Sequence, residues 1–473
     1  MMHSNIQDKF RSSIRRVAFF FVSILVMLFI YLSYIQIYQS NFLVSHPLNR
    51  RTTEASRMVE HGKILDRHKD ILAYSVSDGA GGYKRQYPYG SITSHIIGYD
   101  SLQYGKSGIE ASHAGYLSGL SNPERRLGSI THLWDIKSGN NVILTLDASL
   151  QEIAYKALGT NRGAIVAISP HTGEILLLVS KPGFDPNNID RDWQSLSQSD
   201  VSPLLNRAVQ GLYPPGSIIK TMVAETALTE KRINLKSNFN CSGSLKIGTD
   251  YTLNESNYTA HGNIDLEEAL AVSCNITFGT LSLQLGRDKM ANMFEKYGFN
   301  KLLTSDVPEV PSRIPSFSRM GDGDLAQTGI GQGSLLVTPL RMAMLASCYA
   351  NNGTIMQPYM VKQITAPDGT VIKNFHEEEF SSPVNSQIAK QIQQMMVTVV
   401  NNGTGSAARI SGISVAGKTG TAENPLGNPH AWFIGFAPAD NPQIAIAVIV
   451  ENGGSGGQVA APIARKILEQ ALR

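Results

Sequence analysis

Ser217-Ile218-Ile219-Lys220 sets a hydroxyl and an amine three residues apart. On a helix, positions i and i+3 share one face, so the two groups can come within hydrogen-bonding range. A serine becomes a nucleophile when a neighbouring base takes its proton. A lysine can be that base where burial and nearby cations lower its pKa. Gly216 opens the approach to Ser217, and the helix N-terminus adds partial positive charge near the reacting centre. Composition alone gives roughly one or two Ser-x-x-Lys matches in such a chain. Ser217 is the only serine here with lysine three residues on.

Two further clusters can serve the same chemistry. In Ser273-Cys274-Asn275 a hydroxyl can relay a proton to a leaving amine, and an amide can bind a substrate amide. Ser138-Gly139-Asn140 has the same pattern and reads as a turn. Lys418-Thr419-Gly420-Thr421 offers a cation and a hydroxyl for a carboxylate, and Gly420 lets a ligand backbone come close to a strand. That triplet arises by chance in about one such chain in ten. The three clusters in this order are far more specific, and they match a known set of acyl-transfer boxes with a partly different middle member.

The elements that must position them are legible from periodicity. NVILTLD from Asn141 reads as a strand, Ser149 to Leu158 as an amphipathic helix, and GAIVAISPHTGEILLLVS as a hairpin turning at His171-Thr172-Gly173. A buried helix begins after Pro214-Pro215-Gly216. IDLEEALAVSCNITFGTLSLQLG gives two helices meeting near Ser273. Helices over Thr338 to Asn351 and Ser386 to Asn401 precede three strands, ISVAGKTGTAE, HAWFIGFAPA and QIAIAVIVE, and a closing helix, APIARKILEQAL. Early strands, a helical middle and late strands predict an antiparallel sheet in which the two ends of the domain pair. Helices pack on it, making an α+β fold.

The chain has 473 residues, 42% of them hydrophobic and 17% charged, which excludes global disorder and fits two or three domains. A net charge of +3 gives no hint of a nucleic-acid binder, which would need a basic face. Three cysteines make no disulfide framework, and there is no Cys-x-x-Cys pair to hold zinc. The residues predict neither a cofactor nor a metal. The uncharged run Val17 to Tyr38, at ~1.5 Å per residue, spans about 33 Å, enough to cross a bilayer core of about 30 Å. No small-residue cleavage site follows, so the run reads as an uncleaved anchor. Lys9, Arg11, Arg15 and Arg16 precede it, so the N-terminus is expected in the cytoplasm and the rest outside. The expected organisation is a tail (1–16), a transmembrane segment (17–38), a turn-rich spacer (39–140) and a catalytic domain (141–473).

The chain resembles the class B (monofunctional) penicillin-binding proteins, which are peptidoglycan D,D-transpeptidases. The resemblance rests on YPPGSIIKTM, SCNITF and AGKTGTAE, on QTGIGQGSLLVTPLRMA, and on GKSGIEASHAGYLSG (Gly105 to Gly119) in the spacer. Family spacers carry an Arg-Gly-x-Ile-x-Asp-Arg-Asn-Gly-like sequence; here the stretch from His61 to Asp70 replaces the first Arg and the Asn-Gly. The resemblance implies a penicillin-binding transpeptidase fold on a β-rich pedestal akin to the family's dimerisation domain. It implies that Ser217 is acylated, that Lys220 takes its proton, and that Ser273 shuttles a proton to the departing D-Ala. Asn275 would orient the substrate amide and Lys220. Lys418 and Thr419 would hold the terminal carboxylate, with Gly420 and Thr421 lining the strand and the N–H groups of Ser217 and Thr421 forming an oxyanion hole. The implied partners are stem peptides ending in D-Ala-D-Ala, β-lactams, and a membrane glycan polymerase of the division or elongation machinery.

Other readings weigh less. A class A β-lactamase needs a Glu-x-x-Leu-Asn-like element between the second and third boxes, and none lies there. D,D-carboxypeptidases usually carry their anchor at the C-terminus, where this chain has an amphipathic helix. A non-catalytic β-lactam receptor would need a signalling module, and a scaffold would tolerate loss of a box residue. Gly453 to Gly457 matches Gly-x-Ser-x-Gly, but neither Asp nor His follows Ser455, so it reads as a flexible loop. Cys274 reads as a small buried filler, His376 to Glu379 as a solvated run, and His430 as structural.

Overall fold

The computed structural model describes residues 2–39, 58–119, 138–249, 251–303, 306–425 and 427–473. The core is a five-stranded antiparallel sheet whose spatial order is Ala416–Ala422, His430–Ala437, Ile444–Val450, Gly163–Ile168, Ile175–Lys181. The late strand Ile444–Val450 pairs with the early strand Gly163–Ile168, Val448 facing Ile165, so the two ends of the domain meet as expected. The unbroken apolar run of Ile444–Val450 follows from burial on both faces. Ile444, Ile446, Val448 and Val450 point toward the core under the C-terminal helix Ala461–Ala471. Ala445, Ala447 and Ile449 point to the other core, where small side chains admit the wholly buried helix Pro339–Ala350.

The helix carrying Lys220 runs Lys220–Thr229 and is buried nearly all round, Lys220, Thr221, Glu225 and Thr226 included, so its polar groups need partners inside the core. The second box lies between helices Leu266–Ala271 and Asn275–Lys296. The first is closed by a capping box of Asp265 and Glu268. The second is capped by Cys274. At the break Ser273 takes φ +61°, a left-handed conformation that costs a non-glycine residue about 1 kcal/mol or more.

The spacer is less separate than its sequence suggests. A six-stranded sheet runs Val371–Asn374, Val361–Thr365, Asn141–Leu144, Ile64–Leu65, Ile71–Ser77, Tyr83–Gln86, so the expected boundary at 140/141 falls inside one sheet. Ser138-Gly139-Asn140 is not the turn expected: Ser138 bridges Glu60 in parallel, and Gly139 N donates to Glu60 O. A Cβ on Gly139 would sit 1.6 Å from Leu117 O, which explains the glycine. Asp66 accepts from the backbone N–H of His68 and Asp70 and from Ala148 N, tying the spacer turn to the catalytic domain. Lys69 occupies the left-handed position of that turn (φ 73°), where the family pattern has glycine. Much of the turn-rich stretch from Ser118 to Ser129 lies outside the described residues. Among the described residues one helix is long and apolar enough to cross a membrane, Arg11–Gln39, with mean hydropathy 2.4.

Candidate active site

Each box is delivered by a different element. Gly216 turns with φ +59°, its N–H donating to Gly331 O at 2.8 Å, and the chain enters a 3₁₀ turn, Gly216–Ile219, before the α-helix. In a 3₁₀ turn positions i and i+3 eclipse, which aligns Ser217 and Lys220 more closely than an α-helix would. Ser217 is half-buried, whereas Lys220 is completely buried. Trp432 Nε1 donates to Pro214 O at 3.0 Å and so fixes the chain entering the turn.

The structure brings Lys220, Ser273, Asn275 and Lys418 into one hydrogen-bonded cluster. Lys220 Nζ donates to Ser273 O at 2.5 Å, to Asn275 Oδ1 at 2.7 Å and to Ser273 Oγ at 3.3 Å. Lys418 Nζ donates to the same Oγ at 2.9 Å and to Thr419 O at 3.0 Å. One hydroxyl therefore receives both amines. Burial lowers the Lys220 pKa to about 8, opposed by the charge of Glu255. Burial holds Lys418 well below the ordinary lysine range, and the charge of Lys220 lowers it further. Two amines so close and so buried favour sharing one proton rather than holding two. A hydroxyl that accepts from both keeps its own proton for a third partner.

Thr419 Oγ1 lies 2.6 Å from Thr404 Oγ1, a residue sequence reasoning did not single out. Gly420 also has a reason to be glycine within the fold. A Cβ there would meet Pro215 O at 2.9 Å, so the Ser217 turn packs onto it. Thr421 is exposed, with its carbonyl accepting from Gln332 Nε2 at 3.4 Å. The glycine loop read as flexible is packed behind this strand. Gly456 N donates to Thr421 Oγ1 at 3.3 Å, and a Cβ on Gly456 would lie 2.3 Å from Gly420 O and Trp432 O. That contact runs between residues far apart in the chain, so no local pattern signals it. His430 Nδ1 accepts from Asn452 N at 3.1 Å, and His376 to Glu379 are exposed.

Cys274 is more than filler. Its sulfur accepts from Thr277 N at 3.3 Å and donates to Glu255 Oε1 at 3.0 Å, and burial pushes its thiol up to about 12. Cys241, Glu255 and Cys274 have ligand atoms within 4.8 Å of one another, a donor set of the kind that holds soft metals. Hydrogen bonds from both thiols already occupy the carboxylate.

Residues 163–469 match the model of the penicillin binding protein transpeptidase domain, and residues 61–141 that of the penicillin binding protein A dimerisation domain. The chain belongs to the class B penicillin-binding proteins. This penicillin-binding protein is 33% identical to peptidoglycan D,D-transpeptidase PbpA of Mycolicibacterium smegmatis, over 98% of its own length and 99% of the relative's. It is 33% identical to peptidoglycan D,D-transpeptidase MrdA of Acinetobacter baumannii, over 82% of its own length and 66% of that protein's. Among solved structures it is similar to penicillin-binding protein A of M. tuberculosis in an imipenem acyl-enzyme complex. That match has a TM-score of 0.83 and 31% identity, covering 89% of this chain and 100% of the other. A D,D-transpeptidase domain from Eggerthella lenta gives a TM-score of 0.80 and 33% identity, over 88% and 98% of the two chains.

Proposed function

We propose that the chain is a membrane-anchored peptidoglycan D,D-transpeptidase that cross-links stem peptides through an acyl-enzyme on Ser217 and is acylated there by β-lactams. The observation that carries the reading is the convergence of Lys220, Asn275 and Lys418 on Ser273, beside a half-buried Ser217. Relatives named as D,D-transpeptidases and a neighbour solved as a β-lactam acyl-enzyme support it.

In this reading neutral Lys220 takes the Ser217 proton as the hydroxyl attacks the D-Ala-D-Ala carbonyl. The N–H groups of Ser217 and Thr421 receive the developing oxyanion, each worth about 3 kcal/mol of transition-state stabilisation. Lys418 and Thr419 hold the substrate's terminal carboxylate. Ser273 passes its free proton to the departing D-Ala nitrogen and is recharged by an amine on its other side. Asn275 keeps Lys220 aligned and meets the substrate amide. Gly420 lets the strand lie against the Ser217 turn. An amine from a neighbouring stem peptide then resolves the ester.

The proposed organisation keeps a tail (1–16), a membrane segment (17–38), a pedestal (39–140) and a catalytic domain (141–473). The N-terminus lies in the cytoplasm and the catalytic domain outside. A membrane glycan polymerase of division or elongation is the proposed partner, met through the span and pedestal.

The test supplies a thioester analogue of the donor peptide with a D-amino acid acceptor. Exchange product that depends on Ser217 is expected. Hydrolysis without exchange would point to a D,D-carboxypeptidase, and rapid turnover of penicillin to a β-lactamase.

A further inference from the structure

Two lysines are completely buried at the site, and a buried charge is costly without a counter-charge. The charged and titratable groups that act on Lys220 are Glu255, Cys274 and Cys241. Among the described residues, the charge that acts on Lys418 is that of Lys220. Glu255 lies on the Lys220 side, bonded to the N–H of Ile276 next to the Asn275 that accepts from Lys220. It is 5% exposed and held by three donors: Ile276 N at 2.8 Å, Cys274 Sγ at 3.0 Å and Cys241 Sγ at 3.5 Å. The residue before it completes the arrangement. Asn254 O accepts from Asn275 Nδ2 at 2.9 Å, which turns Asn275 Oδ1 toward Lys220 Nζ.

We infer that Glu255 is a positioning residue for acylation: its carboxylate is the counter-charge that keeps the resting proton on Lys220, while the Asn254-Glu255 backbone clip fixes Asn275 against that lysine. The inference rests on the reading of Lys220 as the base to Ser217. In the empty site Glu255 biases the shared proton toward Lys220. A substrate carboxylate arriving at Lys418 and Thr419 adds an anion on the opposite side. The proton is then drawn across Ser273 to Lys418, and Lys220 is left neutral and ready to accept from Ser217. Glu255 thereby makes the base competent chiefly when a carboxylate-bearing substrate is bound.

The test measures the second-order rate of acylation by a fluorescent penicillin against pH, on the full chain in detergent, for wild type, Glu255→Gln and Glu255→Asp. The glutamine keeps an acceptor for Ile276 N and removes the charge. Its acid limb is expected to move to lower pH by about one unit. Relative to its own plateau, E255Q on the limb is then about tenfold faster than wild type. The aspartate keeps the charge but draws it back by one methylene, so its limb moves the same way by less. E255D decides the matter if E255Q does not fold. Limbs that coincide with wild type, even with lowered plateaus, would overturn the inference and leave Glu255 a structural part of the helix cap. Labelling that survives Ser217→Ala would instead overturn the reading of the site itself.

Discussion

Ser273→Ala isolates the hydroxyl on which both lysines converge. Alanine takes the same backbone strain at φ +61° as serine, so the helix break is preserved. Lys220 keeps its bonds to Ser273 O and Asn275 Oδ1, and loses its longest bond, at 3.3 Å. Lys418 loses its 2.9 Å bond and keeps that to Thr419 O. A hydrogen bond to a charged group is worth about 1.5–3 kcal/mol. Counting one full bond and a weaker one, about 2–3 kcal/mol of alignment and proton relay is lost. If that energy is expressed in the transition state, acylation slows by about 30- to 150-fold. The assay is the second-order rate of adduct formation with a fluorescent penicillin, read beside a thermal melt that confirms folding. A folded S273A protein within about threefold of wild type would refute the account of Ser273 as the relay.

Wild-type acylation should fall as pH rises through about 8, because the one proton the two lysines share rests on Lys220, whose pKa burial sets there, and Lys418 needs that proton to hold the substrate carboxylate; a rate–pH profile checks this. Glu225, buried with Thr226, Thr229 and Tyr297 around it, has its carboxyl raised to about 7 by burial. Its folded pKa exceeds the unfolded one, so its contribution is full below the unfolded value and is lost as pH rises toward 7. Glu225→Gln should therefore gain up to about 3 kcal/mol relative to wild type between acid and pH 8, measured by denaturant unfolding at both. Gly216→Ala forces a side chain into φ +59° and within 2.9 Å of Thr421 O. It should cost about 1–2 kcal/mol of stability and slow acylation at least tenfold, read by melting and labelling.

Much of the catalytic domain was legible because its local patterns agree with its burial. The strand Ile444–Val450 alternates branched and small residues across two cores, and the paired helices around Ser273 carry caps at both starts. The three boxes stood out because each needs particular functional groups at fixed spacing. What stayed hidden depends on contacts between distant residues. Val361–Thr365 and Val371–Asn374 join the spacer's sheet, which nothing in their own sequence announces. Gly456 reads as linker until Gly420 O is found behind it. Glu255 lies in a polar stretch, and only the fold turns it under Asn275. Gly420 carried a signal of close approach, and the fold adds one that the sequence did not show, the Ser217 turn.

The central claim is that Ser217 forms a long-lived acyl-enzyme. The measurement that tests it most directly is time-resolved labelling of the full chain with a fluorescent penicillin, with Ser217→Ala alongside. The account predicts an adduct that lasts many minutes in wild type and is absent from the mutant. A mutant that still labels, or a wild-type adduct that vanishes as the drug is rapidly consumed, would contradict it.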